Sequence, residues 1–354
     1  MSSIVTVIIP HFNRSRLLAE ALRSVRRQSS GDWEIVVADD GSDDAEWRVV
    51  RGFADGDRIR VIRREGSPKG PSRCRNLALK EARGEFVVFL DSDDLLAPWC
   101  LESRLAAFRG EPEADFLVFP VLLFTEVPGD SDLLWNRLEG SDDLERFLRS
   151  DPPWCVSAPI WRREALERLG GFNERMLYDD DGELHARAIL DGARYRKMAD
   201  MLPDCFIRRG AAGRITNTLS PDLVESRRVR LGEVHAVLIG RGCAEKVLAV
   251  WQGEFFAEAE FLLFNVKEAR EPVQRVLQDL FKAYGVRGWR AALVRTYFAL
   301  ALFFRDRWYF ALRIVRRLAM PFLPRAYVER PRTYQAVRLP GETVGRLKER
   351  LLRP

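Results

Sequence analysis

Phe86 to Asp94, FVVFLDSDD, is the stretch whose reading decides the fold. The apolar residues from Phe86 to Leu90 are too few for a globular helix. They are rich in aromatic and β-branched types with no polar interruption, which reads as a strand buried on both faces, as in a parallel sheet. The run passes straight into Asp91, Asp93 and Asp94. Side chains two apart on an extended chain point the same way, so Asp91 and Asp93 aim carboxylates at one region past the carboxyl end of the strand. Open α/β sheets bind ligands there. Crowded carboxylates repel unless protonated or neutralised, and a hard divalent cation is the usual neutraliser. The same letters also read as a strand followed by an acidic turn that caps a helix, with Pro98 near the helix start.

Outward from that strand the chain alternates. Residues 4–9, IVTVII, predict an opening strand, which Pro10 is expected to close because it cannot donate to a central ladder. His11-Phe12-Asn13 is the loop after it, and Leu17, Leu18, Ala21, Leu22 and Val25 give helical spacing across 14–28. A second strand, 34–38, ends in Asp39-Asp40-Gly41-Ser42-Asp43, an Asp-Gly turn with Asp43 placed to cap the next helix. A third strand, 58–62, leads through the Gly/Pro loop 66–71 into a helix over 72–82. Strand-helix alternation with short loops predicts a doubly wound mixed α/β sheet. Neither GxGxxG nor GxxxxGK[ST] occurs, which disfavours a dinucleotide fold or a P-loop. Further on, 99–109 reads as a helix, DFLVFPVLLF (115–124) as one buried strand interrupted by Pro120, 142–148 as a short helix, 156–161 as a strand, 163–169 as a helix and 194–198 as the last strand.

Composition bounds the rest. The 354 residues allow more than one domain, and a hydrophobic fraction of 47% with 31% charged is ordinary for a globular chain. The formal charge of +5 is uneven. From residue 281 onward there are 17 Lys and Arg against 4 Asp and Glu, a surplus of 13, which leaves 40 against 48 before it. The basic character belongs to the tail, so a nucleic-acid-binding surface is not expected. Five scattered cysteines without a CxxC pair predict a reducing, cytoplasmic setting without disulfides or a zinc site. The N-terminus reads as a strand and not as a signal peptide, and no uncharged apolar run is long enough to span a bilayer.

VTVIIPHFNR, VVADDGSDD, the Gly70 to Asn76 segment before ARGE, and FLDSDD, in this order, resemble the N-terminal half of family 2 glycosyltransferases with the GT-A fold. The resemblance implies nucleotide-binding roles for Pro10, Phe12, Asn13, Asp39 and Asp40, with Asp40 accepting from the ring N–H of the base. Phe12 stands where the family often has Tyr and keeps the stacking face. Arg75 is implied at a phosphate, although a solvated Arg on a helix flank reads equally well. Asp91 is implied at ribose or metal, and Asp93 at a Mg²⁺ or Mn²⁺ ion bridging the donor's diphosphate. A second block, GGFNE (170–174) followed by YDDDGELHAR (178–187), resembles the family's GGFDE…ED block. It places the acidic pair on Asp180 and Asp181, with Asp in place of the usual Glu at 180 and Asp181 as the base of an inverting transfer. An acidic first turn favoured by the helix dipole is the plain alternative. Arg208, Arg209 and Arg214 fall where the family has a mobile loop closing over the pyrophosphate, a position a solvated basic loop also explains. Residues 1–219 are thus expected to form the GT-A domain, 1–95 its nucleotide-binding half and 96–219 its acceptor half.

Past residue 220 the resemblance ends. Helical patterns cover 222–240, 244–264 and 272–284. Residues 289–323 combine dense Leu and aromatics with arginines, which suits helices lying on an anionic membrane face; a helical hairpin or a dimer contact is the alternative. The sequence therefore predicts a metal-dependent, inverting glycosyltransferase using a nucleotide-sugar donor, UDP-linked. The expected acceptor is a saccharide or is lipid-linked, in cell-surface glycan synthesis at the cytoplasmic face of the membrane. The alternative of a different class is a catalytically silent carbohydrate-binding or scaffolding subunit.

Overall fold

The computed structural model describes residues 5–135, 137–140, 142–210, 219–305, 308–328 and 337–352. Its centre is the set of apolar runs. Strands β1 (Val5–His11), β2 (Trp33–Asp39), β3 (Ile59–Arg63) and β4 (Phe86–Phe89) run parallel, in the spatial order β3-β2-β1-β4. Every residue of β2 and β4 is buried, as strands covered on both faces require. Between them lie α1 (Ser15–Arg26), which turns Leu18, Ala21, Leu22 and Val25 inward, α2 (Asp44–Arg51) and α3 (Pro71–Glu81). Asp43 caps α2, accepting from the N–H groups of Ala45 (3.1 Å) and Glu46 (3.0 Å).

β1 does not stop at Pro10 but runs on to His11. Ile8 accepts from Leu90 on the β4 side and His11 accepts from Asp40 on the β2 side. Pro10 therefore faces the β4 side, past the end of that strand at Phe89, and its missing N–H leaves no ladder bond unmade.

Beyond β4 the sheet turns antiparallel. β5 (Leu95–Leu96) leaves it, α4 (Cys100–Gly110) follows, and β6 (Phe116–Val118), β7 (Val121–Phe124), β8 (Pro159–Arg162), β9 (Tyr195–Lys197) and β10 (Cys205–Arg208) complete two sheets. The larger has the order β3-β2-β1-β4-β8-β6-β9, and the smaller is β5-β10-β7. DFLVFPVLLF is thus two strands in two sheets, divided at Phe119-Pro120. β9 is not the last strand, because β10 returns beside β5 and β7. Short helices α5 (Asp143–Leu148) and α6 (Arg163–Arg168) precede α7 (Asp180–Leu190). Fully buried Arg104 on α4 donates through Nε (2.9 Å) and a terminal nitrogen (2.6 Å) to Asp204, which joins α4 to the approach of β10.

The C-terminal region is helical: α8 (Pro221–Gly240), α9 (Glu245–Asn265), α10 (Arg270–Tyr284), α11 (Gly288–Phe304), α12 (Tyr309–Ala319), a 3-10 turn (Met320–Phe322), α13 (Arg325–Val328) and α14 (Gly341–Leu352). α8 to α11 share their own core around Trp251, Phe255, Leu262 and Phe298. α14 instead returns to the small sheet, where Leu347 packs with Trp99, Leu122, Phe124 and Phe206. Among the described residues no helix is long and apolar enough to cross a membrane.

Candidate active site

The carboxyl ends of β1, β2 and β4 open into a cleft of about 610 Å³ whose far wall is the start of α7. Phe12, in the loop after β1, is 42% exposed at this cleft, with the Lys69 ammonium 4.0 Å from its ring centre. A flat aromatic face beside a cation suits a nucleotide base and its phosphates.

The DDGSD turn divides its labour. Asp39 is fully buried: His11 Nδ1 lies 2.9 Å from one oxygen, and Ser42 donates through Oγ (2.5 Å) and N–H (2.9 Å). The Arg14 N–H donates to His11 Nε2 (3.0 Å), which makes Nδ1 the protonated nitrogen. Burial alone would raise the Asp39 carboxyl, but these bonds hold it below the ordinary carboxylate range. Asn13, exposed, is tied to the same turn, its N–H donating to Ser42 Oγ and its Oδ1 accepting from the Asp43 N–H. Asp39 and Asn13 shape the turn and do not line the cleft. Asp40 lines it, while accepting from Arg64 (2.6 Å) and from the Gly70 N–H (2.7 Å).

Asp91 and Asp93 stand not on an extended continuation of β4 but in the turn after it, closed by the Asp94 N–H donating to the Asp91 carbonyl (3.0 Å), and both line the cleft with Pro10, Arg14 and Lys69. Asp91 has 39% of its side chain exposed, whereas Asp93 is largely buried with Arg14 at 3.6 Å. Asp94 accepts from the Arg208 N–H (3.0 Å). Among the described residues no three His, Cys, Asp or Glu side chains form a complete metal-ligand set. One or two carboxylates together with substrate phosphates and water are nevertheless the usual shell of Mg²⁺, so this pair fits an ion carried in with a diphosphate.

Arg75 connects the two halves of the chain. Buried at the head of α3, it donates to Asp91 (2.8 Å) and to Asp180 (2.7 Å), where Ser72 Oγ also donates (2.7 Å). Asn76 beside it exchanges bonds with Phe172, accepting its N–H (2.8 Å) and donating to its C=O (2.9 Å). Gly171, at φ +71°, lies so close to Asn76 Oδ1 that an added Cβ would come within 2.5 Å. The GGF turn therefore needs its glycine both for conformation and for space. Arg187 fastens the block from below through Glu183 (2.7 Å) and the Gly171 carbonyl (2.8 Å).

The three acids at the start of α7 differ in their partners. Asp179 is paired with Arg230 and Asp180 with Arg75, whereas Asp181 makes no ion pair among the described residues. Burial first, then the like charges of Asp180 and Asp179, push its carboxyl up to about 7 against the pull of Arg75. A carboxylate poised near neutrality at a cleft wall is suited to taking a proton. His185 is buried among Phe147, Trp154 and Trp161, with its imidazole pushed down to about 3, and belongs to the core. Cys74 and Cys155 line the cleft, but burial raises both thiols, Cys74 to about 12, so neither is a ready nucleophile.

Arg208 sits at the end of β10, and its side chain pairs with Glu20 (2.6 Å), donates to the Asp93 carbonyl (3.2 Å) and covers the Phe124 ring. It braces the Asp93-Asp94 turn from behind. Arg209 is exposed outside the cleft, and Arg214 lies outside the described residues. Sequence reasoning passed over Arg14, Lys69, Ser150 and Tyr178, all of which line the cleft; Arg14 and Lys69 carried a signal, standing in loops beside residues already singled out. A smaller hollow of about 260 Å³ between α8, α9 and α10 has its charged groups paired with one another.

Fold and cleft together define a GT-A-type α/β domain followed by a helical region. Residues 6–170 match the family model for glycosyl transferase family 2, and the chain carries a family 2 glycosyltransferase domain. It is 33% identical over 145 residues to the poly(ribitol-phosphate) beta-N-acetylglucosaminyltransferase TarS of Staphylococcus aureus, covering 38% of this chain and 25% of the relative. It is 41% identical over 102 residues to the GalNAc(5)-diNAcBac-PP-undecaprenol beta-1,3-glucosyltransferase of Campylobacter jejuni, covering 28% of this chain and 33% of the relative. The chain thus matches between a quarter and a third of the length of these two relatives. The solved structure of S. aureus TarS 1-349 in complex with UDP-GlcNAc superposes with a TM-score of 0.63 at 21% identity, covering 90% of this chain and 92% of that one.

Proposed function

We propose that this chain is an inverting, metal-dependent glycosyltransferase that moves a sugar from a UDP-linked donor to a saccharide or lipid-linked acceptor in cell-surface glycan synthesis. The observation that carries this reading is the Arg75 bridge. It brings the carboxylates after β4 and the acids of α7 into one cleft, although Asp91 and Asp180 lie far apart in sequence. The donor's base stacks on Phe12 within reach of Asp40, and its diphosphate lies toward Arg14 and Lys69. Asp91 and Asp93 are the residues that would hold a Mg²⁺ or Mn²⁺ ion, which when bound would supply positive charge for the departing nucleotide. Asp181 takes the proton of the acceptor hydroxyl as the new bond forms. The relatives' beta-linked products support inversion, and the UDP-GlcNAc of the superposed structure supports a UDP-linked donor. The undecaprenol-linked acceptor named for one relative supports work at a membrane surface. A silent scaffolding subunit would leave both acidic groups without a task.

Calorimetric titration with UDP and GDP, with and without Mn²⁺, tests the donor site. UDP is expected to bind in a Mn²⁺-dependent manner, with Asp93→Ala abolishing the metal dependence. Failure of both nucleotides to bind under any metal condition overturns the reading.

A further inference from the structure

Asp179, next to the base, takes its cation from the C-terminal helices. Arg230 on α8 is 1% exposed. Its Nε donates to Asp179, one terminal nitrogen donates to Ser150 Oγ (3.1 Å), and the other stands 3.4 Å from Glu254 on α9. One turn earlier on α8, Ser226 Oγ accepts the N–H groups of Leu177 (2.8 Å) and Tyr178 (3.1 Å). Arg227 lies 4.2 Å from the Tyr178 ring centre and is held there by Glu258 (2.7 and 3.0 Å). Three consecutive residues, 177 to 179, are thus gripped by one face of α8.

They need the grip. Asp179 sits in the left-handed region at φ +55°, which Asp visits more readily than most residues but still at a cost that its surroundings must offset. Its carboxylate lies across the first turn of α7, where a Cβ on Gly182 would come within 2.1 Å of Oδ1. The carboxylate is caught between Gly182 and Arg230, and a buried pair that loses one partner leaves an uncompensated charge.

We propose that Ser226 and Arg230 are positioning residues for Asp181, so that the C-terminal helices complete the catalytic centre. Ser226 sets the backbone that aims the first turn of α7 into the cleft, and Arg230, shared between Asp179 and Glu254, partly offsets the charge beside the base. The proposal rests on the reading of Asp181 as that base. The groups facing Asp181 are Asp179 and Asp180 on its own segment, Arg75 from α3, Asp91 from the turn after β4, and the thiol of Cys155. Arg75 is committed to Asp91 and Asp180. Without Arg230 a buried anion stands unmatched next to Asp181, which then keeps its proton to higher pH.

The test compares the full chain with Arg230→Met, Arg230→Lys, Ser226→Ala and Asp181→Asn. UDP release from a panel of UDP-sugars, with water as acceptor, is followed from about pH 5 to about pH 9. UDP affinity and amide exchange across 177–182 are measured alongside. Arg230→Met is expected to lower turnover by about tenfold or more at neutral pH and to move the acid limb up by about one unit. UDP affinity should stay unchanged while exchange across 177–182 accelerates. Arg230→Lys is expected to restore the limb but only part of the turnover, because an ammonium lacks the fork that reaches both Asp179 and Ser150. Ser226→Ala should speed exchange and lower turnover without moving the limb. A limb at the wild-type position in Arg230→Met overturns the proposal, as does unchanged turnover in that variant and in Ser226→Ala. If Arg230→Met does not fold, wild-type turnover in Arg230→Lys or Ser226→Ala overturns it. Full turnover in Asp181→Asn removes the base assignment instead. In that case, or if no UDP-sugar is hydrolysed, wild-type exchange across 177–182 in Ser226→Ala overturns the grip of α8.

Discussion

Asp179, Asp180 and Asp181 are one residue type three times over, and what distinguishes them is where the nearest arginine stands. Asp181, facing acids and without an ion pair among the described residues, has its carboxyl pushed up to about 7. As a base it works ionised, so turnover should rise with pH through that value. The same shift acts on stability with the opposite sense. A carboxyl whose folded value is raised contributes stability present below its unfolded value and lost as pH climbs through the folded one. Asp181→Asn should therefore cost roughly a hundredfold or more in turnover while unfolding at a higher temperature than the wild type at about pH 8, the gap closing toward about pH 4. Thermal unfolding at the two pH values checks it, and a variant less stable at the higher pH would refute the assignment. At this scale the DSD acids were legible because they follow a buried apolar run at the carboxyl end of a sheet strand, and the DDD acids because the GGFNE and Leu-x-x-Arg flanks resemble the family's block. It could not separate Asp39 from Asp40, since only the fold shows that His11 and Ser42 claim the first. Nor could it show that Arg208 turns back to Glu20.

The elements legible in advance were those with an unbroken apolar run or a helical spacing of their own: the buried parallel strands, α1, α3 to α6, and the three helices after residue 220. What escaped were short pieces whose meaning depends on distant partners. β5 is Leu95-Leu96 alone, β10 is four residues, and an unbroken apolar run cannot say that Phe116–Val118 and Val121–Phe124 enter different sheets. Nothing near α14 announces that it docks on the small sheet. Its anchor is Leu347, with Arg350 4.4 Å from the Trp99 ring centre and Arg338 bound to Asp132 (2.6 Å) as rim contacts. Truncating a buried Leu to Ala removes its transfer energy and leaves a cavity. Leu347→Ala should lower stability by about 2 to 3 kcal/mol in urea unfolding, whereas Arg338→Ala, which removes a solvent-screened exposed pair, should cost far less. Equal effects from the two would mean that α14 is held by charge and not by its apolar anchor.

Across the whole molecule, charge and apolar surface meet at the end opposite in sequence to the donor site. On α12 and the turn after it, Phe310, Ile314, Leu318 and Phe322 recur at four-residue intervals and all are exposed, with Trp308 ahead of them. Arg313 and Arg317 are exposed beside that stripe. Between Arg287 and Val328 the sequence has nine arginines and one acid, Asp306. Burying an exposed apolar stripe against water is favourable wherever a matching surface exists. A second copy of the same basic face would repel, whereas an anionic lipid surface offers both an apolar layer and negative headgroups, each nearby Arg contributing about 1 kcal/mol. This arrangement would hold the transferase at the layer where a lipid-linked acceptor resides. Full-length protein should therefore sediment with phosphatidylglycerol-containing vesicles and not with phosphatidylcholine alone. Binding should weaken as salt shortens the reach of the charges to about 3 Å at molar ionic strength. The double change Phe310→Ser and Leu318→Ser should release it while leaving UDP affinity intact, because the donor cleft is lined by none of these residues. Vesicle binding that survives the double change would remove the stripe from the lipid contact, and binding that ignores salt would remove the arginines from it.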